Sequence, residues 1–209
     1  MTAVFDRVTL HGSHVLLEPL DAQHHAAMVL AASCDRSTFT LTSVPEPTED
    51  AVTSYINEAR RQFDAGLGLT FATIRCADRV LIGSTRFMNA EYWRASTTPP
   101  SHNGPIALEI GSTWLVPEAQ RTAANTEAKI LMLDYAFDVL RVARVTLKTD
   151  ERNEPSRRNI ERIGATFDGV LRRHMPASDG GYRDSAMYSL LDTEWPQARA
   201  RLLGREYTS

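Results

Sequence analysis

The chain has 209 residues, 43% of them hydrophobic and 23% charged, with a formal net charge of −3. This is the balance of a soluble globular protein, long enough to bury a core without disulfides or a structural metal. The slight negative charge argues against nucleic acid or an anionic membrane as partner, and no apolar run approaches the ~20 residues that cross a bilayer.

Met1 to Leu10 carries Asp6 and Arg7 where a secretion signal needs an apolar stretch, so a cytoplasmic protein is expected. His14 to Leu17 is a short apolar run closed by Glu18-Pro19, which predicts a first strand. Asp21 caps a predicted helix through Ala32, and Thr38 to Pro47 reads as a loop. Thr48-Glu49-Asp50 opens a second helix with acidic residues where the helix dipole favours them; Val52, Ile56, Ala59 and Phe63 follow at helical spacing up to Gly66. Leu69–Arg75 and Val80–Met88 predict an antiparallel hairpin turning at Ala77-Asp78-Arg79. Asn89 to Pro105 holds Tyr92-Trp93-Arg94 and a polar, proline-rich run, the texture of a long loop bordering a ligand site.

Ala107–Leu115 is the next predicted strand, followed by a helix from about Asn125 to Leu140 and a strand over Arg144–Thr149. Pro155–Ile163 reads as a short helix stopped by Gly164, with proline in its first turn. Thr166–His174 and Ser185–Leu191 predict a closing hairpin across the turn-rich Ala177–Gly181, and Thr193 to about Leu203 a final helix. The order βααβββ, αβ, αβ, β predicts one α/β domain over residues 1–209 (its helical tail about 193–209), with antiparallel strands early and a parallel crossover later.

Chemistry concentrates between Glu109 and Asn153. A strand leads through Pro117 and the small-residue stretch Gln120-Arg121-Thr122-Ala123-Ala124-Asn125-Thr126 into the N-terminus of a helix. Convergent peptide N–H groups and the helix dipole make such a junction an anion site, and small residues let a phosphate come close. Glu109, in a strand of otherwise apolar or small residues, suits a general base for an amine. Cys34 and Cys76 form neither a C-x-x-C nor a zinc pattern, and the histidine pairs lack third ligands, so reduced thiols and no metal are expected.

At this junction the sequence resembles the GNAT acetyltransferases, of the RimJ/RimL type. Gln120 matches the first position of the family's pyrophosphate loop and Thr126-Glu127-Ala128 its helix start, whereas Ala123 stands where the family prefers glycine and Asn125 where it prefers glycine or alanine. Asn153-Glu154-Pro155-Ser156 is similar to the Asn-x-x-Ser segment of RimJ/RimL-type members. The resemblance implies an α/β fold: a mixed, mostly antiparallel sheet of six to seven strands, helices on both faces and a central splayed parallel pair. It implies acetyl-CoA as donor, a primary amine as acceptor, Glu109 as base, and a homodimer paired through the final strands. Gln120 to Thr126 would hold the pyrophosphate, Asn153 the pantetheine arm, and a backbone N–H at Trp114, Leu115 or Val116 the developing oxyanion. The tyrosine that many members use as general acid is Ile160 here, which points to Ser156. Tyr92, Trp93 and Arg172 are candidate acceptor contacts. The lost glycines and tyrosine motivate the alternative, a non-catalytic acyl-CoA-binding module. A nucleotide-binding protein is disfavoured by the absence of the Gly-x-x-x-x-Gly-Lys and Gly-x-Gly-x-x-Gly loops.

Overall fold

The computed structural model describes residues 5–92 and 104–206. The described strands form one sheet in the order β1-β2-β3-β4-β5-β6-β8-β7, eight where six to seven were expected. The unforeseen strand is β1 (Leu10–His11), two residues paired antiparallel with β2 (Val15–Pro19) and too short to carry any alternation. The chain divides into two compact units, residues 1–90 with 110–132 and residues 91–109 with 133–209, so that the strand β5 (Ala107–Leu115) contributes to both.

In the first unit β2, β3 (Leu69–Arg75) and β4 (Leu81–Glu91) form an antiparallel meander. Val15, Leu17, Phe71 and Phe87 are buried, and Phe87 sits edge-on to Phe71 and stacked on Phe5. The helix α1 (His25–Ala32) follows a 3-10 turn capped by Asp21, and α2 (Glu49–Asp64) is capped by Thr48, whose hydroxyl accepts the Ala51 N–H. Met28, Val52 and Ile56 turn inward from these helices. Between Thr73 and Ile74 the register with β4 shifts, leaving Ile82 as an extra residue beside Gly83. A Cβ on Gly83 (φ 156°) would lie 2.0 Å from the Trp114 carbonyl oxygen, so only glycine permits that approach.

The helix α3 (Ala123–Asp134) begins two residues before the expected start and ends in a π turn over Tyr135–Val139. Thr122 explains the earlier start: its hydroxyl donates to the Ala119 carbonyl and accepts the Ala124 N–H at 3.2 Å, acting as a cap. Glu127 ties the helix to the β1–β2 turn, accepting the N–H groups of Ser13, His14 and Val15 at 2.7–2.8 Å.

On the inner face of α3, Lys129 is buried with its Nζ 2.6 Å from the Thr113 hydroxyl and 3.1 Å from that of Thr85. Burial pushes its pKa down from 10.5 to about 7. The unfolded chain therefore holds this proton across a range in which the folded chain has released it. Stability from this site rises with pH between about 7 and 10.5, by about 1.4 kcal/mol per pH unit. Urea unfolding of the wild type should gain about 2–3 kcal/mol relative to Lys129→Met between pH 7 and pH 9. Parallel stability profiles for the two proteins would show that the amine is not buried uncharged.

In the second unit β6 (Arg144–Asp150) pairs parallel with β5 over Ala107–Glu109 and antiparallel with β8 (Tyr182–Leu191), which in turn carries β7 (Thr166–Pro176). Val145, Leu147, Ala186, Tyr188 and Leu190 are buried together with Ile160 and Ile163 of α4 (Glu154–Ile163). Gly164 ends α4 in the left-handed region. In α5 (Trp195–Glu206), Trp195 and Arg199 both donate to Asp134. No helix among the described residues is long and apolar enough to cross a membrane.

Candidate active site

The loop expected to be an anion site belongs to the first unit. Leaving β5, Pro117–Ala119 makes a 3-10 turn, and the chain then passes through extended Gln120 and left-handed Arg121 (φ 59°). Gln120 shapes the loop, its side-chain amide donating to the Leu115 carbonyl at 2.9 Å and to the Thr38 hydroxyl at 3.1 Å. Arg121 and Thr122 are exposed, while Ala124 and Thr126 are buried. Because α3 starts at Ala123, the peptide N–H groups of its first turn have no acceptor within the helix, and its N-terminal dipole favours an anion. Asn125 lies in that first turn, with its Oδ1 buried and unbonded. The side chains of Ala123 and Ala124 end at Cβ, which leaves the approach to these peptides open. Residues 120–126 therefore suit a pyrophosphate.

Trp114 is a core residue, 2% exposed, with its ring edge-on to Phe39. Leu115 offers its carbonyl to Gln120, and the Val116 N–H donates to the Ile82 carbonyl at 2.8 Å.

The second unit holds a charged cluster. Glu109 is 5% exposed and accepts a hydrogen bond from Lys148 of β6 at 2.9 Å. The parallel register explains the meeting: Glu109 pairs with Thr146, and Lys148, two residues further on, projects from the same face. Asp150, also buried, accepts three hydrogen bonds from Arg152, which holds its carboxyl below the usual carboxylate range. Arg152 extends to Asp179 in the β7–β8 turn.

Between Leu171 and Met175 the β7 register slips, so that residues 172–174 face only Asp184. Arg173 takes up a left-handed conformation there (φ 48°), its N–H donating to the Asp184 carboxylate. This bulge re-aims the chain and brings His174 Nδ1 within 3.0 Å of the Ser185 hydroxyl, which also accepts from Arg183 Nε at 3.0 Å. His174 is held below the ordinary histidine value by burial first, then by Lys148 and Arg183, with Glu109 opposing. Burial likewise lowers Arg183, against Asp150 and Glu109.

Asn153 caps α4, its Oδ1 accepting the Ser156 N–H at 3.2 Å. Arg172 lines a groove on the bulge with Val170, Leu171, Arg173 and Asp184. Tyr92 follows β4 and is 41% exposed; Trp93 lies outside the described residues. Lys148, Arg183 and Ser185 were not foreseen as site residues. Lys148 and Ser185 occupy ordinary strand positions, and only the β5–β6 and β7–β8 registers reveal their neighbours. Among the described residues no group of three His, Cys, Asp or Glu side chains could hold a metal ion.

A strand–loop–helix anion site and a buried, ion-paired strand carboxylate on a mixed sheet are features of an acyl-CoA-dependent transferase fold. Residues 14–166 match the family model described as an acetyltransferase (GNAT) domain, and the chain belongs to that family. It is similar to a crystal structure of a GCN5-related N-acetyltransferase from Brucella melitensis, 31% identical, with a TM-score of 0.79 over 96% of this chain and 86% of that one. RimJ of Mycobacterium smegmatis, solved in complex with CoA-disulfide, shares the fold (TM-score 0.81, covering 96% and 95% of the two chains) at 20% identity. In Bacillus subtilis (strain 168), the protein named "Putative ribosomal N-acetyltransferase YdaF" is 36% identical over 87 residues, which are 42% of this chain and 46% of that protein. The chain spans about half the length of the curated relatives it matches.

Proposed function

We propose that this protein is a cytoplasmic, acetyl-CoA-dependent N-acetyltransferase of RimJ/RimL-like type, acting as one domain on a primary amine by direct attack in a ternary complex. The observation that carries the reading is the start of α3, where small residues, a left-handed Arg121 and the first-turn peptides make a phosphate cradle. Acetyl-CoA supplies the activated acetyl group. Residues 120–126 bind its pyrophosphate, and Asn153 binds the pantetheine arm while capping α4. Asn125 contributes the NH2 of its side-chain amide, the half of that group able to donate to a phosphate oxygen.

Glu109 takes the proton that the ammonium acceptor must lose, leaving the nitrogen lone pair to form the new C–N bond. The C–S bond breaks, Ser156 passes its hydroxyl proton to the departing sulfur, which leaves as the thiol, and the serine is reprotonated by the second proton that the nitrogen loses as the amide forms. A backbone N–H at Trp114 or Leu115 meets the developing oxyanion. A direct mechanism suits a chain in which neither Cys34 nor Cys76 lies in a nucleophile motif. Tyr92, Trp93 and Arg172 are proposed on the acceptor side, and a homodimer through the final strands as the assembly.

Calorimetric titration tests the cradle. Acetyl-CoA and CoA should both bind with Kd on the order of micromolar, about −8 kcal/mol. Asn125→Asp, which sets a near-isosteric carboxylate in the first turn, should weaken both about tenfold or more by repelling phosphate. Absence of binding to the wild type would overturn the acetyltransferase reading.

A further inference from the structure

We propose that the acceptor carries a carboxylate beside its amine, received by Arg183 and His174 while Glu109 faces the amine: the acceptor is a free amino acid, not a peptide N-terminus. The inference rests on the acetyltransferase reading and identifies the substrate class for that site.

Ser185 links His174 and Arg183. It is fully buried, and its hydroxyl accepts from Arg183 Nε, which can only donate. His174 Nδ1 lies 3.0 Å from the same hydroxyl. With the hydroxyl proton in that contact, or with the imidazole protonated, His174 carries an N–H on Nε2, and it then offers a donor beside the guanidinium of Arg183. Among the described residues no carboxylate lies within ion-pair distance of Arg183, whose Nε bonds to a neutral hydroxyl. Asp150, a carboxylate that acts on it electrostatically, is already taken by Arg152, and Arg152 is shared with Asp179.

A part-buried guanidinium without a counterion is costly unless a ligand supplies the anion. Glu109 acts electrostatically on both Arg183 and His174, with Lys148 as the remaining charge facing His174. One carboxylate for an ammonium, and a guanidinium with an imidazole N–H for a carboxylate, complement an α-amino acid zwitterion. A peptide N-terminus presents a neutral carbonyl at the second position and forfeits the charge-assisted, bidentate part of that recognition.

The test measures kcat/KM for the twenty L-amino acids, their C-terminal amides and spermidine at saturating acetyl-CoA. It compares the wild type with Arg183→Gln and Arg183→Lys, each checked by thermal unfolding. The best amino acid should exceed its own amide about tenfold or more in the wild type. In Arg183→Gln that ratio should fall toward one through KM, and Arg183→Lys should restore part of it. Equal or better use of the amides, acetylation of spermidine alone, or a ratio that survives Arg183→Gln overturns the inference and leaves the acetyltransferase reading intact. Tight acetyl-CoA binding with no acetylation of any of these amines overturns the inference alone, whereas absence of acetyl-CoA binding overturns both.

Discussion

Replacing Glu109 by Gln should lower kcat/KM for acetyl transfer by about 10²–10³ while leaving the fold and acetyl-CoA affinity in place. The size follows from the ordinary worth of a positioned general base. The choice of glutamine follows from the neighbourhood. Glu109 is almost fully buried and bonded to Lys148 at 2.9 Å, so Glu109→Ala would take away the carboxylate that this part-buried ammonium pairs with and confound chemistry with folding. The glutamine amide still presents an oxygen to Lys148 Nζ, preserving the contact and removing the basic group. Steady-state rates at saturating acetyl-CoA, with calorimetric titration of the donor, separate the two effects. A variant within threefold of wild type would remove Glu109 from catalysis and leave it as a structural partner of Lys148.

Gly83→Ala should be strongly destabilising, costing about 3 kcal/mol or more. The added methyl would sit 2.0 Å from the Trp114 carbonyl oxygen and 2.9 Å from the Leu115 Cα, both backbone atoms that cannot rotate away. Relief requires β4 to move off β5 at the bulge, breaking the 2.8 Å hydrogen bond from Val116 N–H to the Ile82 carbonyl. That movement shifts Leu115, whose carbonyl anchors Gln120 at the start of the loop. Coenzyme affinity should therefore fall about tenfold together with stability. Urea unfolding and acetyl-CoA titration measure the two, and a variant within 1 kcal/mol of wild type would show that β4 yields at no cost.

Much of this architecture is legible in the sequence because its signals are local. Thr48 with its acidic followers, the spacing of Val52, Ile56 and Ala59, and the short apolar runs of the strands all report on the nearest few residues. Asn153 before Glu154-Pro155 is legible for the same reason. The junction at 120–126 is legible as a small-residue turn from strand to helix, but not the helix start at Ala123, which depends on Thr122 bonding in two directions. The charged corner is hidden for a different cause. Lys148 meets Glu109 across 39 residues through a parallel register, and Ser185 meets His174 only because two extra residues are accommodated on β7. Lys129 reads as an ordinary helical lysine; its burial follows from the face that α3 turns to Thr85 and Thr113.

The bulge on β7 also bears on how the protein stays dispersed. Among the described residues β7 is an outer strand, eleven residues long and exposed along most of its length, with Phe167, Leu171 and Met175 uncovered. A flat ribbon of that kind would offer a template for indefinite edge-to-edge stacking. Slips at Asp168 and at residues 172–174 break the ribbon into three short runs, Arg172 and Arg173 place like charges at the second break, and Pro176 withholds a donor at the end. A chain laid alongside meets no uninterrupted run longer than Gly169 to Leu171, too short to propagate a fibre.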